Sequence, residues 1–270
     1  MLVDLHTHTN CSDGLLTPTQ LVKEAVRAKI DCLAITDHDT LAGCQEAIEV
    51  VEREKLPLTI VKGIELSIDA GRSELHLLGL FIDDKNEQLN KRLQELQTKR
   101  KERVYEILAV LAKLGLPLEF SDVAEQADGN VKSFGRPHVT AALVKKGYFK
   151  SQNEAFESVL YFGGPAYVPN ERIGLQEAVE LVHNASGLAI IAHPYKIKDQ
   201  NILPEAVKVG VDGLEVYYPY HTPELVKSYL AFAHEHRLKI SGGSDFHGVK
   251  GKYPKRLGQY LLCSKLLNLW

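Results

Sequence analysis

Short apolar runs alternate with amphipathic stretches along the first third of the chain. Three strands are predicted in this part, at residues 2–5, 32–35 and 59–64. Two helices are predicted between them, at residues 18–29 and 41–54. The first helix has a complete start signal, because Thr17 is the N-cap, Pro18 takes the first helical position and Gln20 takes the capping-box position. This β-α-β-α-β order is typical of parallel strands joined by right-handed crossovers.

The alternation breaks after a fourth predicted strand at residues 75–81. Residues 85–114 are polar and favour a long helix. Shorter helices are predicted at residues 121–126, 137–146 and 153–160. A Gly-Gly-Pro turn at residues 163–165 then returns the chain to its earlier pattern. We therefore interpret residues 85–167 as an all-helical insertion that forms a cap domain.

The strand–helix alternation resumes beyond the insertion. Helices are predicted at residues 175–184, 203–209 and 222–235, and strands at residues 188–192, 213–217, 238–242 and 259–262. About seven strand–helix units fit a closed or nearly closed barrel better than an open sheet. The sequence therefore predicts an α/β barrel domain composed of residues 1–84 and 168–270.

The composition is that of an ordinary globular protein, with 44% hydrophobic and 25% charged residues. No apolar run is long enough to cross a membrane, and the first residues lack the basic and apolar regions of a signal peptide. We expect a cytoplasmic protein with no membrane partner. The four cysteines form no C-x-x-C pair, which argues against a disulfide framework or a zinc ribbon and predicts reduced, mostly buried thiols.

Charge is distributed unevenly along the chain. Residues 85–150 contain 13 Lys and Arg against 8 Asp and Glu, a net charge of +5, which leaves −8 for the rest of a chain whose total is −3. An acidic body suits cations, and a basic insertion suits anions.

Side chains that can bind metal ions cluster at the ends of the predicted strands. They are His6, His8, Asp13, His38, Glu65, His76, His193, Asp245 and His247. The loops after the strands of a barrel form one face, so these side chains are expected to meet there. Any one such histidine is often only a hydrogen-bonded core residue, but nine candidate ligands exceed what one ion needs. Imidazole and carboxylate without thiolate suit Mn²⁺, Fe²⁺ or Zn²⁺, and two to three ions are predicted.

A series of motifs in the chain resembles those of the PHP (polymerase and histidinol phosphatase) superfamily. In order, they are D-L-H-T-H-T at residues 4–9, S-D-G at 12–14, I-T-D-H-D-T at 35–40, G-I-E at 63–65, His76, A-H-P at 192–194 and G-S-D-F-H at 243–247. The resemblance covers nearly the whole chain. It implies a distorted (β/α)7 TIM-like barrel with a trinuclear metal centre.

The resemblance also implies which residues hold each ion. The first ion is expected at His6, His8, Glu65 and Asp245, the second at Glu65, His76 and His193, and the third at Asp13, His38 and His247. Several family members have histidine where this chain has Asp13. Glu65, Asp245 and His193 are the residues expected to be catalytic. Mn²⁺ is the expected metal, with Fe²⁺ and Zn²⁺ as alternatives.

The insertion and the motif F-G-R-P-H at residues 134–138 are similar to one branch of small phosphoesterases. That branch acts on nucleoside 3′,5′-bisphosphates such as pAp, or trims short RNA from the 5′ end. The resemblance therefore implies hydrolysis of pAp to AMP, with attack by a hydroxide that bridges two ions. Arg136 is expected to bind the second phosphate and His138 to contact the substrate. The oligomeric state is left open.

Several alternatives remain. The chain could be a 5′-3′ exoribonuclease on short RNA or a histidinol-phosphate-type phosphatase, although the latter lack the insertion. An amidohydrolase-type deaminase also begins with H-x-H but carries a strand-borne lysine between its metals, where this chain has Glu65. A scaffold with a vestigial site is disfavoured, because burying so many polar groups without ions is costly.

Three further features have two interpretations each. The basic run at residues 99–103 is more typical of a solvated helix face than of an RNA-binding surface. Tyr217, Tyr218 and Tyr220 lie at or just after the end of a predicted strand, where tyrosines more often pack than stack on a base. Glu215 is expected to hold a ligand histidine rather than to bind an ion itself.

Overall fold

A mixed β-sheet forms a nearly closed barrel at the centre of the molecule, as predicted. The computed structural model describes residues 1–70, 73–127, 131–169, 172–249 and 253–269. Its strands are β1 (Leu2–Asp4), β2 (Cys32–Ile35), β3 (Thr59–Ala70), β4 (Ser73–Leu80), β5 (Ile173–Gly174), β6 (Leu188–Ile191), β7 (Gly213–Tyr217), β8 (Lys239–Gly242) and β9 (Leu262–Cys263).

The strand order is β8-β7-β6-β4-β3-β2-β1-β9, with the short β5 beside β3. The pairs β1–β2, β2–β3, β6–β7 and β7–β8 are parallel, as the strand–helix alternation predicted. β4 is antiparallel to both of its neighbours, because it follows β3 as the second arm of a long hairpin. The ring of seven strands closes between β8 and β1, where Leu5 N donates to Gly242 O at 3.3 Å and Thr7 forms a bridge with Phe246.

Helices cover the outside of the barrel. They are α1 (Pro18–Arg27), α2 (Ala42–Glu54), α7 (Leu175–Asn184), α8 (Ile202–Val209) and α9 (Pro223–Glu235). The predicted capping box of α1 is present, since Thr17 Oγ1 accepts from Gln20 N at 3.1 Å and Gln20 Oε1 accepts from Thr17 N at 2.9 Å. The apolar sides of the helices and strands pack into a continuous buried core. This packing fixes the strand ends from which the candidate site is built.

The predicted insertion is helical in the residues that the structure describes between 85 and 167. Its helices are α3 (Glu87–Lys113), α4 (Phe120–Ala124), α5 (Arg136–Lys145) and α6 (Gln152–Ala155), and a π-helical turn follows at Phe156–Leu160. Residues from Val104 to Ala166 share a second hydrophobic cluster. Leu89, Leu93 and Leu96 of α3 pack into the barrel core instead. The division at residue 85 stays a prediction, and the apolar packing changes partner midway along α3.

Two sequence predictions need correction. The last strand was predicted at residues 259–262, but β9 is Leu262–Cys263 and pairs antiparallel with β1. Gln259 lies in a turn instead, where its Oε1 accepts from the backbone nitrogens of Lys255 and Arg256. The helix predicted at residues 153–160 is divided between α6 and the π-helical turn.

The predicted burial of most of the cysteines is confirmed. All four thiols are free of disulfides, and Cys11, Cys32 and Cys44 are buried. Within the described residues, none of the helices combines the length and the apolar character that crossing a membrane requires.

Candidate metal centre

The nine predicted ligands lie together at one end of the barrel. Three overlapping groups of side chains each place one ligand atom per residue within 4.8 Å of all the others. They are His6, His8, Glu65 and Asp245; His8, Asp13, His38 and His247; and His38, Glu65 and His76. The ninth predicted ligand, His193, places Nε2 at 2.9 Å from Glu65 Oε1. The grouping differs from the expected one, because His8 and His38 each belong to two groups. The ligand assignment itself stays a prediction.

Buried imidazole nitrogens converge on one carboxylate oxygen. Glu65 Oε2 lies 3.3 Å from His6 Nε2, 3.1 Å from His8 Nε2 and 3.3 Å from His38 Nδ1. None of these three nitrogens has a hydrogen-bond partner in the described structure. Buried polar atoms are normally satisfied, so this cluster is costly unless cations lie among its nitrogens and oxygens. A donor set of nitrogen and oxygen without thiolate fits Mn²⁺, Fe²⁺ or Zn²⁺.

The electrostatics of the cluster show how it balances charge. Burial alone would raise the pKa of Glu65, but nearby imidazoles, His38 first, hold it well below its usual value. Burial would lower the pKa of His8, but the carboxylates of Asp245 and Glu65, 3.3 and 3.1 Å from its Nε2, raise it to about 9. Burial does hold the pKa of His193 well below its usual value. A proton on an imidazole such as that of His8 thus offsets the negative charge of the carboxylates, and bound cations would displace that proton.

Glu215 on β7 orients two of the candidate ligands. It is fully buried, and its Oε1 accepts from His6 Nδ1 at 3.0 Å while its Oε2 accepts from the backbone nitrogen of His193 at 2.6 Å. The first bond keeps a proton on His6 Nδ1 and leaves Nε2 facing Glu65 Oε2 at 3.3 Å. A carboxylate behind a ligand histidine is the usual arrangement in metal sites. Glu215 therefore makes the contact expected from the sequence.

Asp245 is held by Lys196, which sequence analysis did not identify, and by Tyr218, whose contact with Asp245 it did not predict. Its Oδ2 accepts from Tyr218 Oη at 2.8 Å and from Lys196 Nζ at 3.3 Å. Its Oδ1 lies 3.3 Å from His8 Nε2 and 3.6 Å from His6 Nε2. One oxygen of Asp245 therefore faces the cluster, while the other is fixed from outside.

The backbone is strained at the same place. Asp39, His193 and Asp245 have φ values of 51°, 28° and 51°, in the left-handed region that residues other than glycine rarely adopt. Such strain persists where surrounding contacts fix it, commonly at functional sites. Gly243 passes so close to His6 that an added Cβ would overlap the backbone nitrogen of His6. The glycine of the G-S-D-F-H motif thus permits β8 to approach β1.

Asp37 supports the loop that carries Asp13. It is fully buried, and it accepts hydrogen bonds from Thr9 N at 2.7 Å, Thr9 Oγ1 at 2.6 Å and Ser12 Oγ at 2.6 Å. These three bonds fix the chain between β1 and α1. Asp37 therefore positions the loop of the candidate ligand Asp13. Unlike its neighbour His38, it is not itself a candidate ligand.

A cavity of about 260 Å³ opens over the cluster, and basic side chains form much of its wall. They are Arg100, Arg103, Arg136, Arg172 and Lys196. Arg100 Nε donates to Asp39 Oδ2 at 2.6 Å, which brings α3 to the mouth of the barrel. Burial and the nearby Arg136 lower the pKa of Arg103 to about 9. The cavity therefore combines a site suited to cations with one suited to anions.

The basic run on α3 has two different sides. Lys99, Lys101 and Glu102 are exposed, as the solvated-face interpretation expects. Arg100 and Arg103 are buried, and sequence analysis missed their role. Their spacing from Leu96 could have indicated their burial. Arg100 and Arg103 come four and seven residues after this apolar residue, and such positions lie on the same face of a helix.

The two predicted substrate contacts differ in their surroundings. Arg136 lines the cavity, and its guanidinium lies 4.9 Å from the centre of the Phe156 ring. His138 is not among the described residues that line this cavity. Its Nδ1 accepts from Gly135 N at 3.0 Å, and burial lowers its pKa. Substrate binding by either residue stays a prediction.

The barrel, its cluster of imidazoles and carboxylates and the basic cavity wall fit a metal-dependent phosphoesterase, and comparison with known proteins gives the family. The PHP domain model matches residues 4–188, so the chain belongs to the PHP domain family. The chain is 32% identical to the 5′-3′ exoribonuclease Rnm of Escherichia coli (strain K12), over 92% of this chain and 85% of that protein. It is 33% identical to a 3′,5′-nucleoside bisphosphate phosphatase of Chromobacterium violaceum, over 91% and 87%.

A solved structure supports the same family. A protein from Bifidobacterium adolescentis, assigned as a metal-dependent phosphoesterase, matches with a TM-score of 0.88 and 30% identity, over 97% of this chain and 93% of that one. The predicted fold class, family and enzyme class are thereby confirmed.

Proposed function

We propose that this chain hydrolyses the 3′-phosphate of a nucleoside 3′,5′-bisphosphate such as pAp, with AMP as the other product. The observation that carries the proposal is that basic side chains and the candidate metal ligands line one cavity. A substrate with two phosphates can use both parts at once. The C. violaceum relative is named for this substrate class.

The arginines form the part that suits the 5′-phosphate. Arg100 is already paired with Asp39, whereas Arg103 uses Nε to donate to the backbone oxygen of Val168 at 2.7 Å. The lowered pKa of Arg103 arises from burial and from the positive charges of Arg136 and Arg100. Like charges held together in a buried place are unfavourable, and a bound phosphate relieves their repulsion. Arginine also suits phosphate because its planar guanidinium can donate two parallel hydrogen bonds.

The reacting phosphate belongs at the carboxylate–imidazole cluster. Two to three divalent cations, Mn²⁺ first and Fe²⁺ or Zn²⁺ as alternatives, would supply Lewis acidity toward a water molecule and toward the phosphate there. Glu65 lies at the centre of the predicted ligands and, with Asp245 and His193, is proposed to be essential for hydrolysis. Lys196 places a positive charge on the cavity wall beside Asp245, where it can bind a phosphate oxygen. Glu215 keeps His6 in the orientation that the cluster needs.

Two of the alternative functions fit the cavity less well, and the third, cleavage of short RNA, uses the same chemistry. A histidinol-phosphate-type substrate has one phosphate and offers no second phosphate to the arginines. A deaminase has no use for four arginines beside its metal ligands. Cleavage of short RNA is compatible with the same two phosphate positions, and the E. coli relative is named for that activity.

The test is a phosphate-release assay with added Mn²⁺ on pAp and on 3′-AMP, which lacks the 5′-phosphate. We expect pAp to have the higher kcat/KM by about 10- to 100-fold, the effect of one charge-assisted phosphate contact. Arg103→Gln should reduce this preference strongly. Lys101→Gln, on the exposed side of the same helix, should keep it. Equal kcat/KM values for the two substrates would contradict the proposal.

A further inference from the structure

Three exposed tyrosines form a surface beside the candidate metal centre. Tyr195, Tyr220 and Tyr253, here called the tyrosine surface, expose 37%, 43% and 40% of their area. The rings of Tyr195 and Tyr220 are 6.2 Å apart with planes only 23° from parallel. Tyr220 Oη donates to the backbone oxygen of Tyr253 at 3.3 Å. These contacts hold the exposed rings in place.

Tyr218 connects this surface to the centre. It is buried, its Oη donates to Asp245, and its ring lies 5.5 Å from that of Tyr195 and 5.8 Å from that of Tyr220. Lys196 Nζ lies 5.5 Å from the Tyr218 ring and also lines the cavity. Aromatic rings therefore lead outward from a candidate metal ligand to solvent.

The tyrosine surface and the arginines lie on different sides of the barrel mouth. Arg100 contacts Asp39 after β2 and Ser67 in β3. Tyr220 follows β7, on the opposite side of the ring. Counting through β8 and β1, β2 is the third strand from β7; counting through β6 and β4, β3 is the third. A nucleotide with its 5′-phosphate at the arginines and its 3′-phosphate at the centre would therefore direct any group esterified to that 3′-phosphate toward the tyrosines.

We infer that the tyrosine surface stacks the nucleobase on the 3′ side of the scissile phosphate and so gives the site its capacity for 5′-phosphorylated oligoribonucleotides. This inference rests on the proposed function, because the arginines hold the 5′-phosphate. Base–tyrosine stacking tolerates any base, since every base has a flat aromatic face.

The reaction is the same hydrolysis with a larger group on the phosphate. The oxygen of water bonds to phosphorus, and the bond from phosphorus to the 3′-oxygen of the first nucleotide breaks. The first nucleotide leaves as a 5′-monophosphate, and a proton from the water ends on its 3′-oxygen. The rest of the chain keeps the phosphate at its new 5′ end, so it is a substrate for the next round.

The experiment compares kcat/KM for a dinucleotide, pNpN, with kcat/KM for a bisphosphate, pNp, in each variant. Tyr220→Ala should lower the ratio by about 5- to 100-fold, the range expected for loss of one base–aromatic stack. Tyr220→Phe should restore most of it. Tyr105→Ala is the matched control, because Tyr105 is 50% exposed and stacks on Phe120, away from the cavity. An unchanged ratio in Tyr220→Ala would overturn the inference.

A binding measurement separates this inference from the proposed function. A 5′-phosphorylated dinucleotide with 2-aminopurine as its second base loses fluorescence when that base stacks. With Ca²⁺ added to limit turnover, the wild-type protein should quench the probe and Tyr220→Ala should not. Absence of quenching by the wild type would overturn the inference even if pAp is hydrolysed. Quenching without hydrolysis of pAp would count against the proposed function and support the tyrosine surface.

Discussion

Replacing Glu215 with glutamine keeps the size of a fully buried side chain but leaves it one hydrogen-bond acceptor in place of two. In the native protein one oxygen accepts from His6 Nδ1 at 3.0 Å and the other accepts from His193 N at 2.6 Å. The glutamine oxygen can keep only one of these bonds, and its NH₂ group must then face the other donor. The substitution also removes the negative charge behind the His6 ring.

Two magnitudes follow. One buried N–H left without an acceptor costs about 1–3 kcal/mol of stability. Loss of the carboxylate behind a ligand histidine lowers metal affinity by about 10- to 100-fold. That range corresponds to about 1.4–2.7 kcal/mol of binding free energy. Both losses are expected in Glu215→Gln.

The assay is a calorimetric titration of Mn²⁺ into protein freed of metal by a chelator, with thermal unfolding measured on the same samples. Glu46→Gln is the matched control, because Glu46 accepts two hydrogen bonds from Thr19 and is not part of the cluster. An affinity in Glu215→Gln within about twofold of wild type would refute its orienting role. A lowered melting temperature with unchanged Mn²⁺ affinity would show a contribution of Glu215 to stability only, and it would not support the orienting role.

Three further predictions concern pH, packing and substrate. The pKa of His8 rises from 6.5 to about 9 on folding. The protonated imidazole therefore contributes fully to the free energy of unfolding below pH 6.5, and this contribution is lost as the pH rises through about 9. The melting temperature of chelated protein should fall over this window, and added Mn²⁺ should remove the fall. Gly243→Ala should overlap His6 and sharply reduce the metal content of the purified protein. Arg136→Met should raise the KM for pAp by about 10-fold or more and change that for 3′-AMP little, as paired kinetics would show.

Local pattern located most of the candidate ligands, because most of them end or closely follow an apolar run. His76 is an exception, since it lies within β4. Its position at the centre depends on the antiparallel register, which pairs it with Ser67, and on the bond from Ala192 N to His76 O at 3.1 Å. That bond brings it beside His193. The direction of β4 departs from the strand–helix alternation, because no helix separates β3 from β4 and the two strands form an antiparallel hairpin.

The basic wall of the cavity was largely beyond sequence reasoning. Arg100 and Arg103 belong to a helix that looks solvated in the sequence, and they face inward only because α3 crosses the barrel mouth. Lys196 and Tyr218 reach Asp245 through contacts between loops that are distant in the chain. Such contacts follow from tertiary packing, which composition and periodicity do not specify. The excess positive charge of the insertion, the motif that contains Arg136 and the spacing of Arg100 and Arg103 from Leu96 were the signals that pointed toward this wall.

The most direct measurement is anomalous X-ray diffraction from crystals of the protein grown with Mn²⁺ and a nucleoside bisphosphate analogue. The account predicts two or three strong metal peaks among the nitrogens and oxygens around Glu65, His8 and His38, with a phosphate beside Arg103. Crystals that show no metal peak among these side chains would contradict it.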